Sequence, residues 1–453
     1  MADAPSMRRN YRVAPINTDP LIEFIMNLLN HSFVLDSVSM TVPATWKHLE
    51  EMIDEHRTIV EAKARHRVGS RLFEAVPTVS VFHTPLPLQK AWERYDAKYR
   101  ISSRRFVQPS FNEVRHILNL SQILAMREQG LKLVTFDGDC TLYSNGNDFS
   151  DPKLARFITL LMRQGVSIAL VTAAGYAYEP ERYQWRLSGL MRYFAAHKLP
   201  AEIAARFWVL GGECNYLLQC APPPEAAAGE EAADKYVLVP RQEQWEEFFD
   251  PSPEAVTGML DQAERTLTTA IDELQLRGRL IRKKRGIGLI PGGKEGKEAK
   301  PKGTGSKAMP QEALDEVVLR CQAELRVYVK DVLSRGGPEP PRFCAFNGGN
   351  DAWVDIGNKA IGVKGLCQML QIPAQCTLHI GDQFHNTGND YAARTCCPCL
   401  WIIHPLETRQ VLKDMLREAL QLPNHALKET MKSAVEKVSE GPGPEPPRPN
   451  PVT

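Results

Sequence analysis

Leu131-Lys132-Leu133-Val134-Thr135-Phe136-Asp137-Gly138-Asp139-Cys140-Thr141 is the stretch on which the fold turns. Its first six residues form a short apolar run, the pattern of a buried strand. The run ends on one aspartate, with a second two positions on. Leu154 to Arg163 then has helical spacing, and Val166-Ser167-Ile168-Ala169-Leu170-Val171 is another apolar run, ending at Thr172. Strand, helix, strand in this order predicts a parallel α/β sheet, because parallel neighbours need a crossover connection. Ligands of open parallel sheets sit beyond the carboxyl ends of the strands, where both Asp137 and Thr172 fall. Cys376-Thr377-Leu378-His379-Ile380 predicts a further strand leading to Gly381-Asp382, and Leu400-Trp401-Ile402-Ile403 another.

Carboxylates so placed suit phosphoryl transfer. A phosphate ester resists attack because it is anionic, so an enzyme needs a nucleophile, a proton donor for the leaving oxygen and positive charge around the phosphoryl group. Asp137 suits the first role and Asp139 the second. Asp382, at the end of another strand, completes an oxygen-only site for Mg²⁺, whose charge would let a carboxylate approach an anion. Each piece alone has a bland reading: Asp-x-Asp is common in turns, and a hydroxyl after a strand often caps a helix. The order of all of them at strand ends is what points to chemistry.

Around these segments the chain has 453 residues, 43% hydrophobic and 24% charged, with 55 basic and 54 acidic side chains. A net charge of +1 gives no global reason to hold nucleic acid or an anionic membrane surface. No apolar stretch reaches the roughly 18 residues of a membrane span, and the N-terminus lacks the apolar core of a secretory signal. Ten cysteines in so long a chain suit a reduced, cytoplasmic setting. Cys396, Cys397 and Cys399 read as buried thiols rather than a metal site, since no second pair stands at finger spacing. Residues 1–125 read as mainly helical, with no catalytic constellation of their own. Residues 126–204 are the first part of the sheet domain. Residues 205–340 read as an inserted mixed α+β cap with polar, mobile loops near 225 and 300. Residues 341–435 complete the sheet domain, and 436–453 form a disordered proline-rich tail.

In order and spacing these motifs resemble the haloacid-dehalogenase-like phosphatases. That implies an α/β fold: a Rossmann-like parallel core, an inserted cap and, here, an N-terminal helical domain. Gly381-Asp382 with Asp390 matches the fourth motif of that superfamily. Its motif lysine commonly lies about 23 residues before the aspartate, which selects Lys359, with Lys364 and Lys302 as alternatives. The chain is more specifically similar to the IMP-specific 5′-nucleotidases of fungi and some protozoa. The likeness rests on Phe136 to Gly146, Val171-Thr172-Ala173-Ala174-Gly175-Tyr176, Asp351-Ala352-Trp353-Val354-Asp355-Ile356-Gly357-Asn358-Lys359 and Gly381-Asp382-Gln383-Phe384.

The resemblance implies Mg²⁺-dependent hydrolysis of inosine 5′-monophosphate (IMP) in purine salvage, regulated by ATP, in a cytoplasmic homotetramer. By the same resemblance Asp137 and Asp382 hold Mg²⁺ by side chain and Asp139 by its carbonyl. Thr172 and Lys359 bind phosphoryl oxygens, and Asn145 faces the nucleotide. Asp351 and Asp355 suit ribose hydroxyls or base edges. Trp353 has two readings, stacking on a purine and core packing. Arg186 reads as a phosphate or ribose contact or as a solvated charge. His116 reads as an effector contact or as a structural histidine. The alternatives in function are another nucleotide or a sugar phosphate as substrate, a nucleotide-binding regulator without turnover, and an added scaffold role for the N-terminal helices.

Overall fold

The computed structural model describes residues 19–34, 42–62, 69–222, 236–292 and 309–423. Lys302, the loops near 225 and 300 and the tail at 436–453 lie outside the described residues. The chain forms two compact units, Met1–Ala125 and Met126–Thr453.

The first unit carries the helices Pro20–Val34, Val42–Ala62, Arg71–Ala75 and Leu88–Tyr99. Trp46 stacks on Trp92 at 5.9 Å between ring centroids. Ser70 caps the third of these helices through the Phe73 N–H and meets His56 Nδ1 at 2.8 Å. No described helix is long and apolar enough to cross a membrane.

The second unit contains eleven described strands: β1 (Leu133–Phe136), β2 (Ser167–Val171), β3 (Phe207–Gly211), β4 (Tyr216–Ala221), β5 (Val237–Pro240), β6 (Gly278–Lys283), β7 (Gly286–Pro291), β8 (Phe343–Asn347), β9 (Ala352–Ile356), β10 (Thr377–Gly381) and β11 (Cys399–Trp401). Seven form a sheet in the order β11-β10-β1-β2-β3-β4-β5. The first five of that order run parallel, β4 is antiparallel to β3, and β5 is antiparallel to β4. β1 is buried along its whole length, as expected of a strand covered on both faces. The helix Pro152–Arg163 makes the crossover to β2. Asp151 caps it, accepting from the N–H groups of Lys153 and Leu154 at 2.8 and 3.1 Å, with Pro152 in the first turn. β2 lies on one side of β1 and β10 on the other, so the crevice at a reversal of strand order opens at the end of β1, where Asp137 begins.

The remaining four strands form an antiparallel sheet, β6-β7-β9-β8. Ile287, Leu289, Ala345, Ala352, Val354 and Ile356 pack one of its faces onto the helices Pro253–Glu273 and Gln311–Ser334. This pairing corrects the expected boundaries at 205 and 340. The run at 207–210 and the strand at 237–240 belong to the large sheet, not to the cap. β8 and β9, expected in the second part of the core, belong to the cap sheet. The physical reason is that β3 is buried throughout and pairs parallel beside β2, whereas β9 finds its partners in β7 and β8. Length and apolar content do not say which sheet a strand joins.

Candidate active site

Asp137 follows β1 directly, and its backbone N–H donates to Ile380 O at 2.8 Å, continuing the ladder with β10. Its side chain meets a fully buried ammonium. Lys359 Nζ lies 2.5 Å from Asp137 Oδ1 and 2.5 Å from Asp390 Oδ1. Asp390 Oδ1 also meets His379 Nε2 at 2.9 Å, its Oδ2 accepts from the Gln383 N–H at 2.9 Å, and His379 Nδ1 reaches Thr135 Oγ1 at 2.8 Å. Burial pushes the Asp390 carboxyl up, but Lys359 and His379 outweigh it and hold Asp390 well below the usual carboxylate range. Asp137 has less compensation: burial raises it to about 7 against the pull of Lys359.

Local chain geometry delivers the lysine. Gly357 has φ +96°, and a Cβ there would fall 2.3 Å from Glu213 O, so only glycine fits the turn. Asn358 is extended and caps the next helix, accepting from the Ile361 N–H at 3.0 Å. Lys359 is thus the first residue of the helix Lys359–Met369, where the helix end adds positive potential. Lys364, one of the two alternatives, lies further along the same helix.

The carboxylate oxygens of Asp137, Asp382 and Asp390 lie within 4.8 Å of one another. Three close acids, Asp137 and Asp390 buried and Asp382 half-buried, with one ammonium carry a formal excess of two negative charges, which a divalent cation balances. Asp382 Oδ1 is buried without a hydrogen-bond partner. Burial, with Asp137 and Asp390 close by, pushes its carboxyl well up. An oxygen-only donor set of this kind fits a hard cation such as Mg²⁺. Asp390 is already engaged by Lys359 and His379, so Asp137 and Asp382 are the side chains with capacity to spare.

Asp139 points elsewhere. Its Oδ1 accepts from the Gly146 N–H at 2.9 Å, and Arg186 Nη2 lies 3.3 Å away. The same guanidinium donates to Asn147 O at 2.8 Å and lies 5.1 Å from the centroid of the Tyr143 ring. Arg186 is therefore not a solvated charge: it ties Asp139 to the loop that carries Asn145, which is exposed. Thr172 is buried at the end of β2, with Oγ1 accepting from the Ala174 N–H at 3.1 Å.

Glu213 was not anticipated. It sits in the turn between β3 and β4, where Gly212, Glu213 and Cys214 all have positive φ, at +59°, +51° and +73°. A left-handed glutamate costs about 1 kcal/mol. The turn is held by Glu213 N–H to Thr172 O at 3.1 Å and Trp245 Nε1 to Cys214 O at 2.8 Å. Glu213 is fully buried, and its Oε1 accepts from Asn389 Nδ2 at 2.7 Å. It so joins the Thr172 turn, the Gly357 turn and the residue next to Asp390. The signal in the sequence was Gly211-Gly212 directly after an apolar run, then an acid. Burial raises the Glu213 carboxyl to about 8, with Lys359 opposing. A raised folded value contributes stability that is full below about pH 4, declines as pH rises and is gone above about pH 8. Glu213→Gln stays neutral, so urea unfolding at pH 9 is expected to find it more stable than the parent by on the order of 2 kcal/mol. At pH 4.5 the difference should be small. A gap independent of pH would show that Glu213 is not buried as a neutral acid.

Trp353 and Asp355 lie on β9, and Asp351 directly precedes it. Trp353 is partly exposed on β9, outside the apolar cluster of the cap, and Lys283 Nζ lies 4.1 Å from its ring centroid. Asp351 accepts a hydrogen bond from the Trp353 side chain, and burial raises its carboxyl. Burial raises Asp355 to about 7 against the opposing charge of Lys283. In the N-terminal unit, His116 Nδ1 meets Tyr95 Oη at 3.0 Å and Nε2 meets Arg115 Nη2 at 3.2 Å, a structural setting for both ring nitrogens. Cys396 and Cys397 are buried with free thiols against Val363 and Ala393.

Comparison with known proteins supplies the family. The family model described as IMP-specific 5′-nucleotidase matches residues 4–412. The chain is 37% identical to IMP-specific 5′-nucleotidase 1 of Plasmodium falciparum over 400 residues, covering 88% of this chain and 84% of that protein. It is 35% identical to the protein of the same name from Eremothecium gossypii, covering 91% and 97%. Among solved structures, the IMP-bound P. falciparum IMP-nucleotidase carrying an aspartate-to-asparagine substitution aligns with a TM-score of 0.74 at 36% identity, covering 89% of this chain and 94% of that one. The ATP-bound form of the same nucleotidase aligns at 0.70 and 36%, covering 88% and 85%. A parallel core with an inserted second sheet, three motifs at strand ends with a lysine at a helix start, and a match along nearly the whole length lead to one assignment: the chain belongs to the IMP-specific 5′-nucleotidase family.

Proposed function

We propose that this chain hydrolyses IMP to inosine and phosphate, using Mg²⁺ and an aspartyl-phosphate formed on Asp137. The observation that carries the reading is the buried cluster at the strand ends, where Lys359 bridges Asp137 and Asp390 and Asp382 keeps an unpartnered oxygen. A nucleotide-binding regulator has no need of such a charge arrangement. The IMP-bound relative supports the substrate, and the ATP-bound relative supports ATP as an effector. Effector binding and assembly into a tetramer belong in this reading to the N-terminal unit, and the setting is the cytoplasm.

In the first step a carboxylate oxygen of Asp137 bonds to phosphorus as the bond from phosphorus to O5′ breaks, and Asp139 gives its proton to O5′. In the second, water bonds to phosphorus, Asp139 takes its proton and the Asp137–phosphorus bond breaks. Lys359 and Thr172 hold the phosphoryl oxygens. Asp139 must leave Arg186 to reach O5′, since the guanidinium occupies its carboxylate. Bound Mg²⁺ would supply the positive charge that permits anion to meet anion; Asp137, Asp382 and the Asp139 carbonyl would hold it.

Phosphate release from IMP, AMP, GMP and a hexose phosphate tests the substrate, and equal rates across the set would sink the IMP reading. The cation is tested by unfolding. Mg²⁺ is expected to stabilise the protein by about 2.7 kcal/mol at a free concentration roughly 100 times its Kd. Asp382→Asn should abolish that gain. An equal gain in the variant would remove Asp382 from the site.

A further inference from the structure

The face of the cap sheet opposite its helices carries polar groups that the phosphoryl chemistry does not use. In register, Lys283 stands opposite Gly286, which stands opposite Asp355. In the next row on the same face, Ile281 stands opposite Gly288, which stands opposite Trp353. The middle strand is thus bare there, and its neighbours lean over it. A Cβ on Gly288 would fall 2.5 Å from the Trp353 ring, and one on Gly286 would fall 2.1 Å from Asp355 Oδ1. The glycine backbone supports the indole, and the Lys283 ammonium lies 4.1 Å from the ring centroid. Lys283 is exposed on a hairpin end, yet it is the main positive charge acting on Asp355 and also acts on Asp351. One exposed cation, two carboxylates and an aromatic ring therefore share a single face.

We propose that Lys283 selects 6-oxopurine nucleotides, donating a hydrogen bond to O6 of the base while Asp351 or Asp355 accepts from N1–H. The proposal rests on the reading that a purine monophosphate binds with its base at Trp353. Hypoxanthine and guanine present an acceptor at position 6 and a donor at N1, which match an ammonium and a carboxylate. Adenine reverses both: its amino group faces the ammonium and its N1 lone pair faces the carboxylate. A site built to pair with one pattern rejects the other because its own polar groups are left unmet. The base displaces the ammonium from the ring, and the bond to O6 takes the place of the cation–π attraction.

The test compares kcat/KM of the full-length parent, Lys283→Met and Lys283→Arg on IMP, GMP, AMP and purine riboside 5′-monophosphate, which lacks both O6 and the N1 proton. A parent with no preference for IMP over AMP would end the underlying substrate reading, whatever Lys283 does. Given that preference, Lys283→Met is expected to lower kcat/KM for IMP and GMP by about 10- to 100-fold, the effect of one charge-assisted hydrogen bond. AMP and the riboside phosphate should fall far less, so that the IMP-to-AMP ratio collapses. Lys283→Arg should restore part of that ratio. A parallel fall on all four substrates would assign Lys283 to general nucleotide attraction and overturn the proposal. An unchanged IMP-to-AMP ratio would overturn it too.

Discussion

Asp137→Asn is expected to lower kcat for IMP hydrolysis by about 10,000-fold or more, the scale of removing the group that forms the covalent bond, while the fold persists. The second half of this expectation follows from the charges around it. Lys359 bridges two carboxylates, and Asp390 remains when Asp137 is neutralised. Burial already raises Asp137 to about 7, so its charge is poorly tolerated without a cation, and an isosteric amide relieves that cost. The variant should therefore unfold at or slightly above the parent's denaturant midpoint when Mg²⁺ is absent. It should lose part of the Mg²⁺-dependent gain. Phosphate release and urea unfolding on one preparation check both. Activity above about 1% of the parent would mean that another group attacks phosphorus.

Lys359→Met is expected to fail in the opposite way, losing both activity and stability. Removing the ammonium leaves Asp137 and Asp390 buried together without compensation, and breaking a buried pair in this manner costs about 3–5 kcal/mol. Asp390 is fully buried, and its other side-chain partner, His379, is an imidazole that burial holds in the neutral form. The double variant Lys359→Met with Asp390→Asn should recover part of the lost stability, because the two positions touch and their effects do not add. It should recover no activity, since the phosphoryl oxygens still lack their cation. If Lys359→Met is as stable as the parent, the bridging geometry is not what holds these strand ends together.

Much of the site was legible because each part follows an apolar run. Asp137, Thr172 and Asp382 stand at the ends of β1, β2 and β10, and periodicity locates the end of a buried strand well. Lys359 needed the family spacing as well, because its buried environment is built partly from the Glu213 turn, which is distant in sequence. The sheet to which β3, β4, β5, β8 and β9 belong was not legible, since pairing partners leave no mark on a single strand. Lys283 illustrates the same gap. As sequence it is one of four consecutive basic residues, Arg282-Lys283-Lys284-Arg285. Only the register through Gly286 and Gly288 sets it beside Trp353. Arg186 likewise reads as a helix charge until the fold brings it against Asp139.

β9 ends at Ile356, and Lys359 follows after a glycine turn locked against Glu213 O and an asparagine cap. The strand that carries Asp351, Trp353 and Asp355 and the cation of the catalytic cluster are one short, stiff piece of chain. It works as a lever without a joint: a shift of the strand by an ångström is a shift of the ammonium. Substitutions that retune which base is accepted will therefore tend to alter turnover as well, so that selectivity and rate are inherited together in this lineage.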